Sequence, residues 1–318
     1  MRRSIRANRG ASRALALLTC AAFVAVAATA AAHSGPHPHP RVHVHPSAAG
    51  WRSPGPDYPA AAQDRQERSF QLPGGAGKVV VDNVAGHVRA RAVDGDTVRI
   101  VALQIAHATT AANLDLARRE MPLRLSQHGD TVIAYVESPF RDENGHLQGP
   151  WDELPYRVLY DFEVEVPRRA AVELSTVLDG NVELAGTDGG FLVRNVNGDV
   201  EVRDVCGAGK ALTVNGELAV RFRENPGGAC EFSNVNGDVD VTFQPGLAAD
   251  VRFKTMNGDG WSDFPYTLVP LRPEVNESRR DGRYVIKSDW SQGIRIGAGG
   301  PQLSFSTING DVLIRKST

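Results

Sequence analysis

The feature that most constrains this chain is a short phrase that returns six times after Ala170. Its copies read STVLDGNVEL, RNVNGDVEV, LTVNGELAV, SNVNGDVDV, KTMNGDGWS and STINGDVLI. The central glycines are Gly180, Gly198, Gly216, Gly237, Gly258 and Gly310, at intervals of 18, 18, 21, 21 and 52 residues. Repetition near this length marks an architecture in which each unit buries its apolar face only by stacking on a neighbour. The long last interval holds an insertion from Pro265 to about Gly293 and one degenerate unit, IKSDWSQGIRIG.

The copies align column by column. Four residues before each Asn stand Val193, Ala211, Phe232, Phe253 and Phe305, and two before stand Asn195, Thr213, Asn234, Thr255 and Thr307. After Asn197-Gly198, Asn215-Gly216, Asn236-Gly237, Asn257-Gly258 and Asn309-Gly310 comes an acid: Asp199, Glu217, Asp238, Asp259 or Asp311. Apolar residues then alternate, as in Val200 and Val202 or Val312 and Ile314. Alternation on both sides of an Asn-Gly bend predicts two short strands with one buried face. The glycines are expected to take a positive φ, which other residues adopt only at a cost.

Two geometries fit this pattern. In a meander each Asn-Gly is a two-residue hairpin turn. In a β-solenoid it is a corner, and successive coils stack in parallel. Columns that recur in one order at nearly constant period favour the solenoid, because a meander needs a second turn signal of equal strength. The expected class is therefore all-β: a repetitive β-solenoid of stacked Asn-Gly bends, period about 18–21, with one short helix in the N-terminal part. Stacked Asn side chains are expected to hydrogen-bond from coil to coil.

Before the repeats, Lys78 to Val84, Val88 to Ala92 and Val98 to Ile105 read as strands. TTAANLDLARREM (109–121) is the one helical pattern, stopped by Pro122. Leu123 to Ser126 and Thr131 to Val136 suggest a hairpin about His128-Gly129-Asp130, and YRVLYDFEVEV (156–166) alternates as a strand.

The first residues are expected to be removed. Five arginines without an acid precede an Ala-rich apolar run from Leu15 to Ala32, which ends in small-x-small sites. That is the layout of a secretory signal over 1–32. Residues 33–68 read as a disordered His/Pro-rich tail, since they cannot bury enough apolar surface to offset ordering entropy. The β-repeat domain is expected over 69–318, with a β-rich section at 69–168 and solenoid coils at 169–318. No segment after the signal is apolar enough to span a membrane. Localisation is therefore read as exported, in the periplasm or on the outer cell surface.

The chain carries a formal charge of −2, and removing residues 1–32 leaves −7. An acidic chain of this kind argues against nucleic acid as partner. In an oxidising compartment the pair Cys206 and Cys230 is expected to form one disulfide, closing a loop of about 24 residues worth ~3 kcal/mol.

The strand end VEVP, the STVLDGNVELAG segment and the repeated VNGDVEV resemble the bacterial putative-adhesin family of β-strand repeat domains, a domain of unknown function. The resemblance spans roughly residues 77–315. It implies a β-solenoid-like fold in the cell envelope and a non-enzymatic role, adhesin-like or related to envelope stress. It implies no catalytic residues. The His-rich tail and the insertions at 138–155 and 265–293 depart from its pattern.

Three chemistries compete with that reading. The tail histidines His33, His37, His39, His43 and His45 suit Cu, Ni or Zn, which makes a periplasmic metal-binding protein the alternative. The acid column offers oxygen ligands to Ca, set against a solvated rim that supports the turn. A carbohydrate-active enzyme on a β-helix stands third, because a catalytic acid would break the regularity at one coil, whereas here every coil carries the same acid. The chain is thus read as a non-enzymatic structural or interaction protein, with no catalytic residue, no required cofactor and an envelope protein or polysaccharide as partner.

Overall fold

The computed structural model describes residues 58–142, 147, 149–151, 153–269, 274–280, 283–289 and 292–318. The expected signal and the tail histidines lie outside the described residues. The structure is mostly β with one helix. Its N-terminal part contains β1 (Ala60–Gln71), β2 (Lys78–Asp82), β3 (Val88–Val93), β4 (Thr97–Ala108), α1 (Ala111–Glu120), β5 (Leu123–His128), β6 (Thr131–Val136) and β7 (Tyr156–Pro167). Strands β8 (Ala171–Ser175), β9 (Val182–Ala185), β10 (Phe191–Arg194), β11 (Val200–Val205), β12 (Gly209–Leu212) and β13 (Leu218–Phe222) follow. Next come β14 (Cys230–Ser233), β15 (Val239–Phe243), β16 (Ala249–Lys254), β17 (Gly260–Ser262) and β18 (Tyr266–Val269). The chain ends with β19 (Glu274–Arg280), β20 (Arg283–Asp289), β21 (Gln292–Ile296), β22 (Gln302–Ser306) and β23 (Val312–Lys316).

Two large sheets hold nearly all of these. The first runs β1-β4-β7-β3-β9-β11-β13-β15-β23-β17, and the second runs β18-β21-β16-β22-β14-β12-β10-β8-β2-β6-β5. From β8 to β17 the chain alternates between them, one strand in the second sheet and then one in the first. Neighbouring levels pair in parallel and in register: Val200 lies between Val182 and Leu218, and Ala211 between Val193 and Phe232. Parallel pairing of successive levels rules out the hairpin meander for these strands.

The alternation seen in sequence sends one side of every level inward. Val182, Val200, Leu218, Val239 and Val312 form one buried row of the first sheet. Phenylalanines pack together within the core, with the Phe222 and Phe243 rings stacked at 5.1 Å and those of Phe232 and Phe305 also 5.1 Å apart.

The levels do not follow chain order. The last pair, β22 and β23, sits between β14/β15 and β16/β17. Volume explains the choice. Beneath the Val239 and Val241 positions, β23 offers Val312 and Ile314, whereas β17 offers Gly260 and Ser262. Among its described residues the insertion forms no degenerate coil. Strand β21 runs antiparallel to β16 and carries β18 as an antiparallel neighbour, while β19 and β20 pair only with each other.

The N-terminal section shares both sheets with the repeats. Strands β2 and β3 form a further level, parallel to β8 and β9. The expected hairpin is present as β5 and β6. The helix begins where Thr110 accepts the Asn113 N–H at 3.2 Å, and it packs on β1, β4 and β7.

Ordered structure also begins earlier than the tail expected over 33–68 allowed. Strand β1 pairs antiparallel with β4 over its whole length, from Ala60 opposite Ala108 to Gln71 opposite Thr97. Its sequence AAAQDRQERSFQ shows no apolar alternation, because it is an edge strand with no fully buried residue. Backbone pairing holds it, and backbone pairing leaves no mark on composition.

Candidate functional site: the corner column

Each level turns from the second sheet to the first through the repeated phrase, so the corners stack into a column. Three ladders hold it. In the first, the residue two before each Asn donates to the glycine carbonyl of the adjoining level. Asn195 Nδ2 reaches Gly180 O at 2.9 Å, Thr213 Oγ1 reaches Gly198 O at 2.9 Å, and Asn234 Nδ2 reaches Gly216 O at 2.8 Å. Thr307 and Thr255 reach Gly237 O and Gly310 O at 3.2 and 3.1 Å. These donors are largely buried, so each satisfies a carbonyl that would otherwise be costly.

The second ladder is the Asn column. Asn215 donates to Asn197 Oδ1 at 2.9 Å, Asn236 to Asn215 at 2.7 Å, Asn309 to Asn236 at 2.7 Å and Asn257 to Asn309 at 2.7 Å. The third is the acid column. Asp199 Oδ1 accepts the Glu217 N–H, Asp238 Oδ1 that of Asp311 and Asp311 Oδ1 that of Asp259, each at 2.8 Å. One carboxylate oxygen at these levels therefore serves the scaffold. Among the described residues no three His, Cys, Asp or Glu side chains form a metal-sized cluster.

The glycines are required by crowding as well as by dihedral. Gly216 has φ +146°, and a Cβ there would stand 2.3 Å from the Gly198 carbonyl oxygen. Gly258 departs from the expectation, since it lies outside the positive-φ set. Close approach alone excludes a side chain there, because a Cβ would meet Gly310 O at 1.9 Å.

One corner escaped the sequence reading. NVAGHV (83–88) occupies the same positions as NVNGDV (195–200), with Ala85 in place of Asn and His87 in place of the acid. Asn83 Nδ2 donates to Gly86 O at 3.2 Å and Tyr160 O at 2.8 Å. His87 Nδ1 accepts the Asn181 N–H at 2.8 Å, the part an acid plays elsewhere. Gly180 in turn rests on Gly86, with a notional Cβ 2.3 Å from its carbonyl. The signal was the Asn-apolar-x-Gly spacing, hidden by the loss of the Asn-Gly pair.

The expected disulfide does not form, and Cys206 and Cys230 are both free thiols. Register separates them. Lys210 pairs with Glu231, which puts Gly209, not Cys206, beside Cys230. The Cys230 side chain points into the core, where burial pushes its thiol above the ordinary range. Cys206 lies in the link between β11 and β12 and takes a hydrogen bond from Arg223 Nη2 at 2.8 Å.

The aromatics of the 138–155 insertion cover the core. Trp151 lies edge-on to Phe140 at 5.0 Å, and the buried Tyr156 hydroxyl binds the Glu120 carboxylate. Among the described residues, no helix is long and apolar enough to cross a membrane.

No family model and no curated protein matches the chain. It is similar to the crystal structure of a putative cell adhesion protein from Clostridium sporogenes ATCC 15579, at 4% identity and TM-score 0.41, over 80% of this chain and 100% of that one. It is similar to a putative adhesin from Bacteroides fragilis NCTC 9343, at 11% identity and TM-score 0.34, over 80% and 97% of the two chains. A putative lipid binding protein from Parabacteroides distasonis ATCC 8503 matches at 10% identity and TM-score 0.21, over 80% and 97%.

Proposed function

We propose that the chain is a non-enzymatic, adhesin-like protein of the cell envelope, built as a β-solenoid that presents a rigid surface to an envelope protein or polysaccharide. The observation that carries this reading is the corner column. The acids at Asp199, Asp238 and Asp311 each engage the backbone of the next level in the same way. Acid–base catalysis needs one carboxyl set apart from its neighbours in environment. A column of equivalent acids used for stacking fits a scaffold instead. A scaffold held by side-chain ladders on both sides of each bend changes shape little on binding, which favours recognition by a preformed surface.

Surface-immobilised full chain tests the reading against envelope polysaccharides and solubilised envelope proteins. Saturable binding that survives Asp199→Asn and Asp238→Asn, with the fold intact, is the expected result. Turnover of a polysaccharide that either substitution abolishes would overturn it.

A further inference from the structure

The two sheets end at different levels. The first stops at β17, while the second continues for two more strands, β21 and β18. The consequence is visible along one inward-facing row of the second sheet. Cys230, Leu303, Val251, Ile294 and Leu268 are successive partners in register. Their exposures are 3, 0, 1, 5 and 75%. Leu268 faces the side on which inner levels meet the first sheet, and at its level the first sheet has no strand among the described residues. Its neighbour Tyr266, on the same side and in register with Ile296, is 54% exposed.

The recess has an unpaired wall. Among the described residues β17 pairs with β23 alone, which leaves its other edge without a strand. Its inward positions are Gly260 and Ser262, and the Phe253 ring of β16 lies over Gly260, so the recess opens above this level. Met256 and Trp261, on the same terminal level, are 70% and 57% exposed. The large apolar side chains that stand exposed among the described residues, Met256, Trp261, Tyr266 and Leu268, thus all gather at this end. Monomeric proteins normally cover or charge such an edge.

We propose that this end is a self-association site, at which a second copy of the chain docks head to head. The end is a step: a recess two strands deep in one sheet beside an overhang two strands wide in the other. A two-fold axis along the strand direction, between the sheets, carries the overhang of each copy into the recess of the other. Within a level the chain reverses at the corner, so β17 runs opposite to β16, whereas β18 runs with β16 through two antiparallel pairings. The new contact, β17 against β18 of the second copy, is therefore antiparallel. Both copies use the same surface, so the assembly closes as a dimer and does not propagate. A single extended peptide would fill one level and leave part of the step empty. The chain's own antiparallel β18–β21 pair has the required width and an apolar inner face. This inference is independent of the proposed envelope role.

Sedimentation velocity of the purified full chain, from about 1 to about 100 µM, tests it. A reversible monomer–dimer equilibrium is expected. The double variant Tyr266→Asp/Leu268→Asp should raise the dimer dissociation constant at least about tenfold with unchanged circular dichroism, since both side chains are exposed. Trp261→Lys, which charges the free edge, should act in the same direction. A chain that stays monomeric throughout, a dimer indifferent to all three substitutions, or a monomer that takes up an extended peptide at this edge would each overturn the proposal.

Discussion

Asn309 donates from Nδ2 to Asn236 Oδ1 at 2.7 Å, although the two residues are 73 positions apart in the chain. The same side chain accepts from Asn257 Nδ2 at 2.7 Å, 52 positions away. The C-terminal level is thus threaded between two levels that precede it in sequence. It closes the column by bonding on both sides, and the level at 249–262 rests on it rather than on its neighbour in the chain.

Asn309→Ala should therefore cost more than Asn257→Ala. The first removes a donor and an acceptor within the column, the second a single bond at its end. About 1–2 kcal/mol is expected for Asn309→Ala and under about 1 kcal/mol for Asn257→Ala, read from urea unfolding midpoints. Equal losses would mean that the Asn ladder contributes nothing beyond surface polarity.

Gly216→Ala and Gly227→Ala should differ sharply. A Cβ on Gly216 meets backbone at 2.3 Å and must adopt φ +146°, whereas one on Gly227 meets nothing within 4 Å. The first should destabilise by about 2–4 kcal/mol and the second by less than about 1 kcal/mol. Thermal unfolding of the two variants checks the contrast.

The cysteines should remain separate thiols after purification in air. Denaturation without reductant, followed by alkylation and mass analysis, should find both Cys206 and Cys230 modified. In the native state Cys206, only half-buried in its link, should react faster than Cys230, which is buried. Recovery of a peptide linking the two would contradict the pairing of Lys210 with Glu231.

His107 should make stability depend on pH. Its Nδ1 is buried without a hydrogen-bond partner, and burial, with a smaller contribution from the Arg157 charge, lowers its pKa. The unfolded chain then binds the proton more readily than the folded one. This contribution is complete above the unfolded value of about 6.5 and is lost as pH falls from there towards the folded pKa. His107→Gln should flatten the fall in melting temperature between about pH 7 and pH 5. An unchanged slope would place the effect elsewhere.

Several elements were legible because they are local. The helix over Ala111–Glu120 announces itself through Thr110 and Pro122, and the hairpin at His128-Gly129-Asp130 through its turn residues. The corner column was legible because bend and ladder residues repeat at fixed offsets. Strand β1 was not, since a polar edge strand is held by backbone bonds. The disulfide was misjudged because compartment and an even cysteine count say nothing about register.

The sequence by itself determined which residues bend, which alternate inward, and that levels of one kind must stack. It did not determine their order or where the stack ends. Every level carries the same donors and acceptors, so Asn236 is matched as well by Asn257 as by Asn309. Only the fit of side chains across the whole core distinguishes the two. Val312 and Ile314 fill the position against Val239 and Val241 that Gly260 and Ser262 would leave empty, and that sum over distant contacts exists only in the folded molecule.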